Sequence, residues 1–447
     1  MEATVGIRRS WAALTRPEPL AGAYFWLLVF FFVYCARPED WIPGLAVLPV
    51  AKISGIFALL ALLLSLGGSK RGLLSLPREV FYLLVLDGYL LVGGLLSPVW
   101  RGGAVNQALD FSKALVAVAV TILAVTSLER LRRLILVQTG SVVLIGAISM
   151  VKGRGQIRLQ GVLNGMYGNP NDLAFAIALV IPFCFAFMVA TRSIVQRAAW
   201  AGATLILAVA LMRTGSRGGI ITFAVAGVFC LWRFAVRGRR PLMVLGVALV
   251  AILLFVFAGS TLKQRFAAIS GENITTDVQG SAYASYEQRR FLIDRSLQAI
   301  GDHPIFGIGA YNFTTYSGQW REVHVTLLQI AAEGGIPALI LFLMFFWRGF
   351  RNLRVVARTP DLDSQVGLFA AAVAGSLIAY VVGAQFAPEA YQFFPLFAVA
   401  YTSVLVVIAK EPRERTVSPE ATPAKRPWRT VNVYTDTSRS KPQLLVH

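Results

Sequence analysis

The sequence predicts an all-α polytopic membrane protein with about twelve transmembrane helices and one large outer loop, and three observations predict it. Hydrophobic residues make up 56% of the 447 and charged residues only 15%, too little polar surface to cover a water-soluble globule of this size. Apolar runs of roughly 15 to 23 residues, the length a helix needs to cross the hydrocarbon core, recur along most of the chain. Arginines gather in alternate connections between those runs, which is how a multi-span chain fixes its orientation.

Taken in order, residues 1–20 carry Arg8, Arg9 and Arg16 without a small-residue cleavage pattern, so they read as a cytoplasmic N-terminus ahead of an anchoring span. Residues 21–259 hold nine spans, starting near 21, 45, 79, 113, 131, 171, 198, 218 and 241. Residues 260–323 form the longest connection, outside on this topology, with six basic and six acidic residues. Within it, "SYEQRRFLIDRSLQAIGDHP" reads as a helix with Arg289, Ile293, Leu297 and Ile300 on one face, ended by Asp302 and Pro304. A loop of that length with its own helix usually carries function. Residues 324–410 hold three further spans, starting near 324, 365 and 391, and 411–447 read as a disordered cytoplasmic tail rich in Pro, Arg, Thr and Ser.

The net charge of +19 follows this topology rather than a nucleic-acid surface. Cytoplasmic connections hold Arg130, Arg132, Arg133, Arg192, Arg197, Arg233, Arg348, Arg351 and Arg354 among others, while short external ones hold Arg37, Arg101, Lys152, Arg154, Arg158, Arg213 and Arg217. Cations on the outer side oppose the orientation preference, and an anionic ligand there is the simplest reason for them. Cys35, Cys184 and Cys230 all fall in apolar runs, give no disulfide or metal spacing, and read as packing residues.

Four outer stretches could carry chemistry. In "GNPNDLA", Asn171 or Asp172 can cap the following helix; the same helix N-terminus also offers unpaired N–H groups to a phosphate, with Arg154 and Arg158 just upstream. In "RTGSRGG", Arg217 is either an interfacial arginine reaching water or a guanidinium that forks onto phosphate oxygens, its following glycines allowing close approach. Arg290 has Asp294 four residues on for a surface ion pair, whereas no acid lies at helical spacing from Arg289, which shares a face with apolar residues. His324, heading "VHVTLLQIAAEGGIPAL", shares a helical face with Leu328 and Ala331 and lies nearly opposite Glu333; it reads as an interfacial histidine or as a base kept neutral by neighbouring arginines. No P-loop, GxSxG or HExxH occurs, and neither a metal nor a cofactor is expected.

Together and in this order, "GNPNDLA", "TGSRGG", an arginine fifteen residues before the proline of "DHPIFGIGAYNF", and "HVTLLQIAAEGGIP" resemble the O-antigen ligase and polysaccharide polymerase superfamily of bacterial inner membranes, over residues 150 to 345. The resemblance implies a metal-independent, inverting glycosyltransferase of the C-type membrane architecture. Its donor would be an undecaprenyl-diphosphate-linked glycan at the periplasmic face, and its acceptor lipid A core or another glycan. By the same resemblance Arg217, Arg289 and His324 are the catalytic set, and Arg158 matches a further basic residue ahead of the Asn-Pro-Asn segment. Arg154, Asn171 and Arg290 complete the candidate substrate-binding set. Many members read His-Asn where this chain has His324-Val325. Ligase and polymerase remain open at this point. A secondary transporter of a small anion would also account for the spans and the outer cations, but it should place its charges near the bilayer midplane, often in two related halves, and no internal repeat is apparent.

Overall fold

Eleven of the twelve expected spans are helices in the computed structural model, which describes residues 20–42, 44–67, 72, 75–156, 158–161, 167–234 and 277–410, with backbone alone over 277–285. The expected N-terminal segment 1–19, the span near 241, the first part of the large loop and the tail 411–447 lie outside the described residues. The longer helices are α1 (Ala21–Ala36), α2 (Val50–Leu66), α3 (Arg78–Leu95), α4 (Arg101–Ala124), α5 (Leu128–Lys152), α6 (Pro170–Ala190), α7 (Ile194–Thr214), α8 (Arg217–Phe234), α9 (Asp277–Asp302), α10 (Thr326–Ala357), α11 (Ser364–Gly383) and α12 (Phe393–Lys410). No strand occurs among the described residues. Eight of them, α4 to α8 and α10 to α12, are long and apolar enough to cross a membrane, and α1 and α2 are shorter apolar helices.

Local chemistry sets the helix ends. Ser127 accepts from the Arg130 N–H ahead of α5, whose Glu129 and Lys152 complement the helix dipole at the two ends. Asp363 accepts from Gln365 N at 2.7 Å and starts α11. Two starts differ from the sequence reading. Helix α4 begins at Arg101 rather than near 113, so its first three turns carry Asp110 and other polar residues. Helix α2 begins at Val50 rather than near 45, because a 3-10 turn, Leu45–Val47, precedes Pro49.

Helices α6, α11 and α12 form the centre: 78% of the apolar window of α6 is buried, against 22% for α7 at the rim. The core joins Phe31 of α1, Phe183 of α6 and Phe397 and Tyr401 of α12, all fully buried, and the Tyr401 hydroxyl donates to Gln138 of α5 at 2.6 Å. Helix α1 packs on α2, α3 on α4, α5 on α6, α6 on α7 and α11 on α12. Hydrogen bonds such as Tyr167 OH to Cys35 O, Leu159 N to Arg213 O, Asn312 Nδ2 to Trp100 O and Thr326 Oγ1 to Ala387 O place the connections α1–α2, α3–α4, α5–α6, α7–α8 and α11–α12 at one end of the bundle, the site end below. At the opposite end, buried Glu79 of α3 accepts from Arg348 Nε at 3.2 Å and Asn352 Nδ2 at 2.7 Å, both on α10.

Helix α10 breaks near the site end. Gly335 has φ 79° and ψ 177°, a conformation open essentially to glycine alone, and a Cβ there would collide with the Ile305 carbonyl. Pro337 has no N–H to donate within the helix. The groups released by the break bind the segment after α9: Ile336 N donates to Pro304 O at 2.8 Å, while Ile308 N and Gly309 N donate to Ala332 O and Glu333 O, both at 2.9 Å. "EGGIP" and "DHPIFGIG" thus form one unit.

Helix α9 lies over a small second core of Leu292, Ala299, Ile308, Phe313, Val323 and Ala332. Its buried line runs through Leu292, Ser296 and Ala299, with Arg289 half-buried one turn before, and Leu297 is exposed. The expected face through Ile293 and Leu297 is therefore rotated toward Leu292, because residues 308–323 cover that side.

Candidate active site

Five segments meet at the site end, and hydrogen bonds knit them together. In the α5–α6 connection, Arg158 donates from Nε to Thr214 O at 2.9 Å and from Nη2 to Asn171 Oδ1 at 3.2 Å. One guanidinium thus holds the turn before Arg217 against the start of α6. The cap of α6 is Asn169, whose side chain accepts from Asn171 N at 3.0 Å, and not Asn171 or Asp172; Pro170 at the first helical position suits that start. Asn171 uses its side chain on Arg158 instead.

Arg217 opens α8, capped by Ser216 through Gly219 N at 3.2 Å. The glycines after it permit two close approaches: a Cβ on Gly218 would lie 2.5 Å from Phe386 Cβ of the α11–α12 connection, and one on Gly219 2.5 Å from Ala174 Cβ of α6. The half-buried Arg217 is thereby seated between α6 and residues 384–392.

That same connection holds the histidine segment. Thr326 N donates to Ala384 O at 2.8 Å, its hydroxyl donates to Ala387 O at 2.7 Å, and Glu389 N donates back to that hydroxyl at 3.1 Å. These bonds occupy the first turn of α10, so the helix starts at Thr326, and His324 lies in the preceding loop rather than on a helical face with Leu328 and Ala331. On the other side, Arg321 rests over the Trp320 ring at 4.6 Å and donates to Gln288 Oε1 of α9 at 2.7 Å, next to Arg289.

His324 is partly buried, and its Nδ1 lies 2.9 Å from the Glu322 carbonyl. A carbonyl only accepts, so Nδ1 carries the proton and Nε2 is left as a lone pair. Burial lowers its pKa from 6.5 to about 4, and the Arg289 guanidinium and then Arg321 push the same way. The imidazole is therefore neutral near pH 7, with the Arg289 charge acting on it.

The remaining candidates differ. Arg154 is exposed in the turn after α5, and Arg290 is exposed on α9. The Arg290–Asp294 pair suggested by helical spacing does not form among the described residues, and neither arginine is drawn into these bonds.

Sequence reasoning missed the acids behind this site. Asp172, Glu322, Glu333 and Glu389 interact electrostatically although they come from four segments. Burial raises Glu322 from 4.5 to about 7, and burial followed by Asp172 and Glu322 raises Glu389 well above its usual range. The available signal was weak: single acids beside apolar runs, in "REVH" and "APEAYQ". Among the described residues no group of three His, Cys, Asp or Glu has an arrangement that could hold a metal ion.

The fold and this end define a polytopic helical membrane protein that gathers arginines and a neutral histidine where its loops converge. Residues 202–343, which contain Arg217, Arg289 and His324, match the family model described as O-Antigen ligase, and over that stretch the match bears out the resemblance to the O-antigen ligase and polymerase superfamily. No curated protein matches the chain.

Proposed function

We propose that the protein is a ligase-type glycosyltransferase that moves an undecaprenyl-diphosphate-linked glycan onto an acceptor hydroxyl at the periplasmic face of the bacterial inner membrane. The observation that carries this reading is the neutral His324, with Nδ1 fixed on the Glu322 carbonyl, Nε2 left to accept a proton, and the Arg289 charge near enough to act on the ring. The acceptor oxygen attacks the anomeric carbon while Nε2 takes its proton. The new C–O bond forms, the bond to the diphosphate oxygen breaks, and its electron pair leaves with the diphosphate. Arg289 and Arg217 hold that diphosphate and stabilise the charge that builds on it, a task guanidinium groups perform without a metal. Direct displacement inverts the anomeric centre. Arg158, with Asn171, keeps the Arg217 turn against α6; Arg154 and Arg290 contact the glycan from the exposed rim.

The orientation rests on charge: Arg130, Arg132, Arg133, Arg348, Arg351 and Arg354 belong to the end opposite the site, which the positive-inside rule assigns to the cytoplasm together with both termini. The anion-transporter reading loses support because Arg158 and His324 lie in loops, Arg217 at a helix start and Arg289 on the loop helix α9, rather than in broken helices at mid-membrane. Acceptors of the ligase type include lipid A core; a polymerase would use another lipid-linked repeat. Deleting the gene and analysing undecaprenyl-linked glycans tests the proposal. Accumulated long chains are expected for a ligase, single repeats would mark a polymerase, and an unchanged lipid-linked pool would overturn both.

A further inference from the structure

Gln329 lies seven positions after Glu322, with His324 between them, and a side-chain bond closes this bracket: Gln329 Nε2 donates to Glu322 Oε2 at 3.2 Å. The other end of the amide is also used, since Gln329 Oε1 accepts from Ala390 N at 3.2 Å. Gln329 is fully buried. A leucine would fill similar space without an amide to desolvate, a burial that is unfavourable unless both ends are bonded. Glu322 in turn uses its carboxylate on Gln329 and its backbone carbonyl on His324 Nδ1.

We propose that Gln329 is a positioning residue for His324: by fastening the Glu322 side chain to the α11–α12 connection, it fixes the carbonyl that selects the Nδ1–H tautomer. The inference rests on His324 being the base. Holding a base in its productive tautomer through a bonded neighbour is how outer partners orient reactive imidazoles. Without the amide, the Glu322 carboxylate is left facing Asp172 of α6, Glu333 of α10, Glu389 and the Tyr311 and Tyr391 hydroxyls, none of which fastens it to residue 390. The residue then turns, and the imidazole loses its single acceptor at Nδ1. Thr326 supplies separate bonds to Ala384 and Ala387, so the start of α10 keeps its attachment when Gln329 changes.

The pair allows a swap that keeps charge and atom count. In Gln329→Glu two carboxyl groups face each other and the amide donor is gone. Adding Glu322→Gln restores a donor from position 322, while the carboxylate at 329 still accepts from Ala390 N. The chain has three histidines, His303, His324 and His447, so 15N spectra of histidine-labelled protein in nanodiscs resolve the ring tautomer, and His324→Gln assigns the signal. For Gln329→Leu and Gln329→Glu we expect kcat for glycan transfer from a lipid diphosphate to fall about tenfold or more with little change in donor KM, and the Nδ1–H signature to become a mixture. The swap should recover most of kcat and the single tautomer. Wild-type kcat and tautomer in Gln329→Leu would overturn the proposal, as would a swap variant that folds with the wild-type Tm yet recovers neither. His324→Ala is measured alongside: full transfer by that variant sinks the base assignment itself, whereas its loss beside an active Gln329→Leu sinks only the role of Gln329.

Discussion

The Glu322 carbonyl and His324 Nδ1 lie 2.9 Å apart, and this short contact decides which nitrogen of the imidazole faces outward as a base. The two residues also carry ionisable side chains whose pKa values move in opposite directions. His324 falls from 6.5 to about 4, so between those values the unfolded chain binds the proton and the folded chain does not; this group leaves stability untouched above about 6.5 and costs more as pH falls toward 4. Glu322 rises from 4.5 to about 7, so there the folded chain holds the proton, and stability declines as pH rises through that interval. The two slopes oppose each other between 4.5 and 6.5. Glu322→Gln should therefore show Tm rising more steeply with pH across that range than wild type, and His324→Ala should show the reverse. Unfolding of detergent-solubilised protein at several pH values checks it; slopes equal to wild type in both variants would contradict the assignment.

Gly335 fixes the break in α10, and its replacement should be felt well beyond that helix. Gly335→Ala puts a methyl group into the Ile305 carbonyl, at a cost of about 1–3 kcal/mol or more. It should shift the 304–309 segment and with it α9 and Arg289, so transfer falls along with Tm. Pro337→Ala should change Tm much less, because the Gly335 conformation and the bond from Ile336 N to Pro304 O set the break without the proline.

Glu79 separates stability from catalysis. It is buried at the end remote from His324 and joins Arg348 and Asn352. Glu79→Ala leaves Arg348 without that anion at a largely buried position and should destabilise the protein by about 3 kcal/mol. Turnover per folded molecule should stay at the wild-type value, as read by activity normalised to the folded fraction.

Arg158 tests whether the site depends on a rigid frame. Bonding both Thr214 O and Asn171 Oδ1 needs the fork of a guanidinium. Arg158→Lys supplies a single ammonium and should lower kcat/KM about tenfold by loosening the turn that carries Arg217. Wild-type kinetics in this variant would show that the clamp is dispensable.

Much of this was legible in the sequence, and the failures share a cause. Apolar runs located the spans, because length and hydropathy are local properties. The Ser-Arg-Gly-Gly turn and the arginine of the long loop were visible as motifs. His324 was placed inside a helix because apolar residues follow it directly; what ends the helix at Thr326 is hydrogen bonding to Ala384 and Ala387, about sixty residues away. The face of α9 was misjudged because Leu292 and Ile293 are both apolar, and only the segment packed on the helix chooses between them. Gln329, Glu322 and Glu389 were overlooked for the same reason: their roles are pairings across chain segments, which a linear pattern does not carry.

The most direct test is transfer by purified protein in the presence of a metal chelator, using a polyprenyl-diphosphate-linked glycan and a hydroxyl acceptor, with His324→Ala, Arg289→Ala and Arg217→Ala at matched folded amounts. The account predicts transfer by wild type that is indifferent to the chelator, and losses of about a hundredfold or more in each variant. Wild-type transfer by His324→Ala would contradict it.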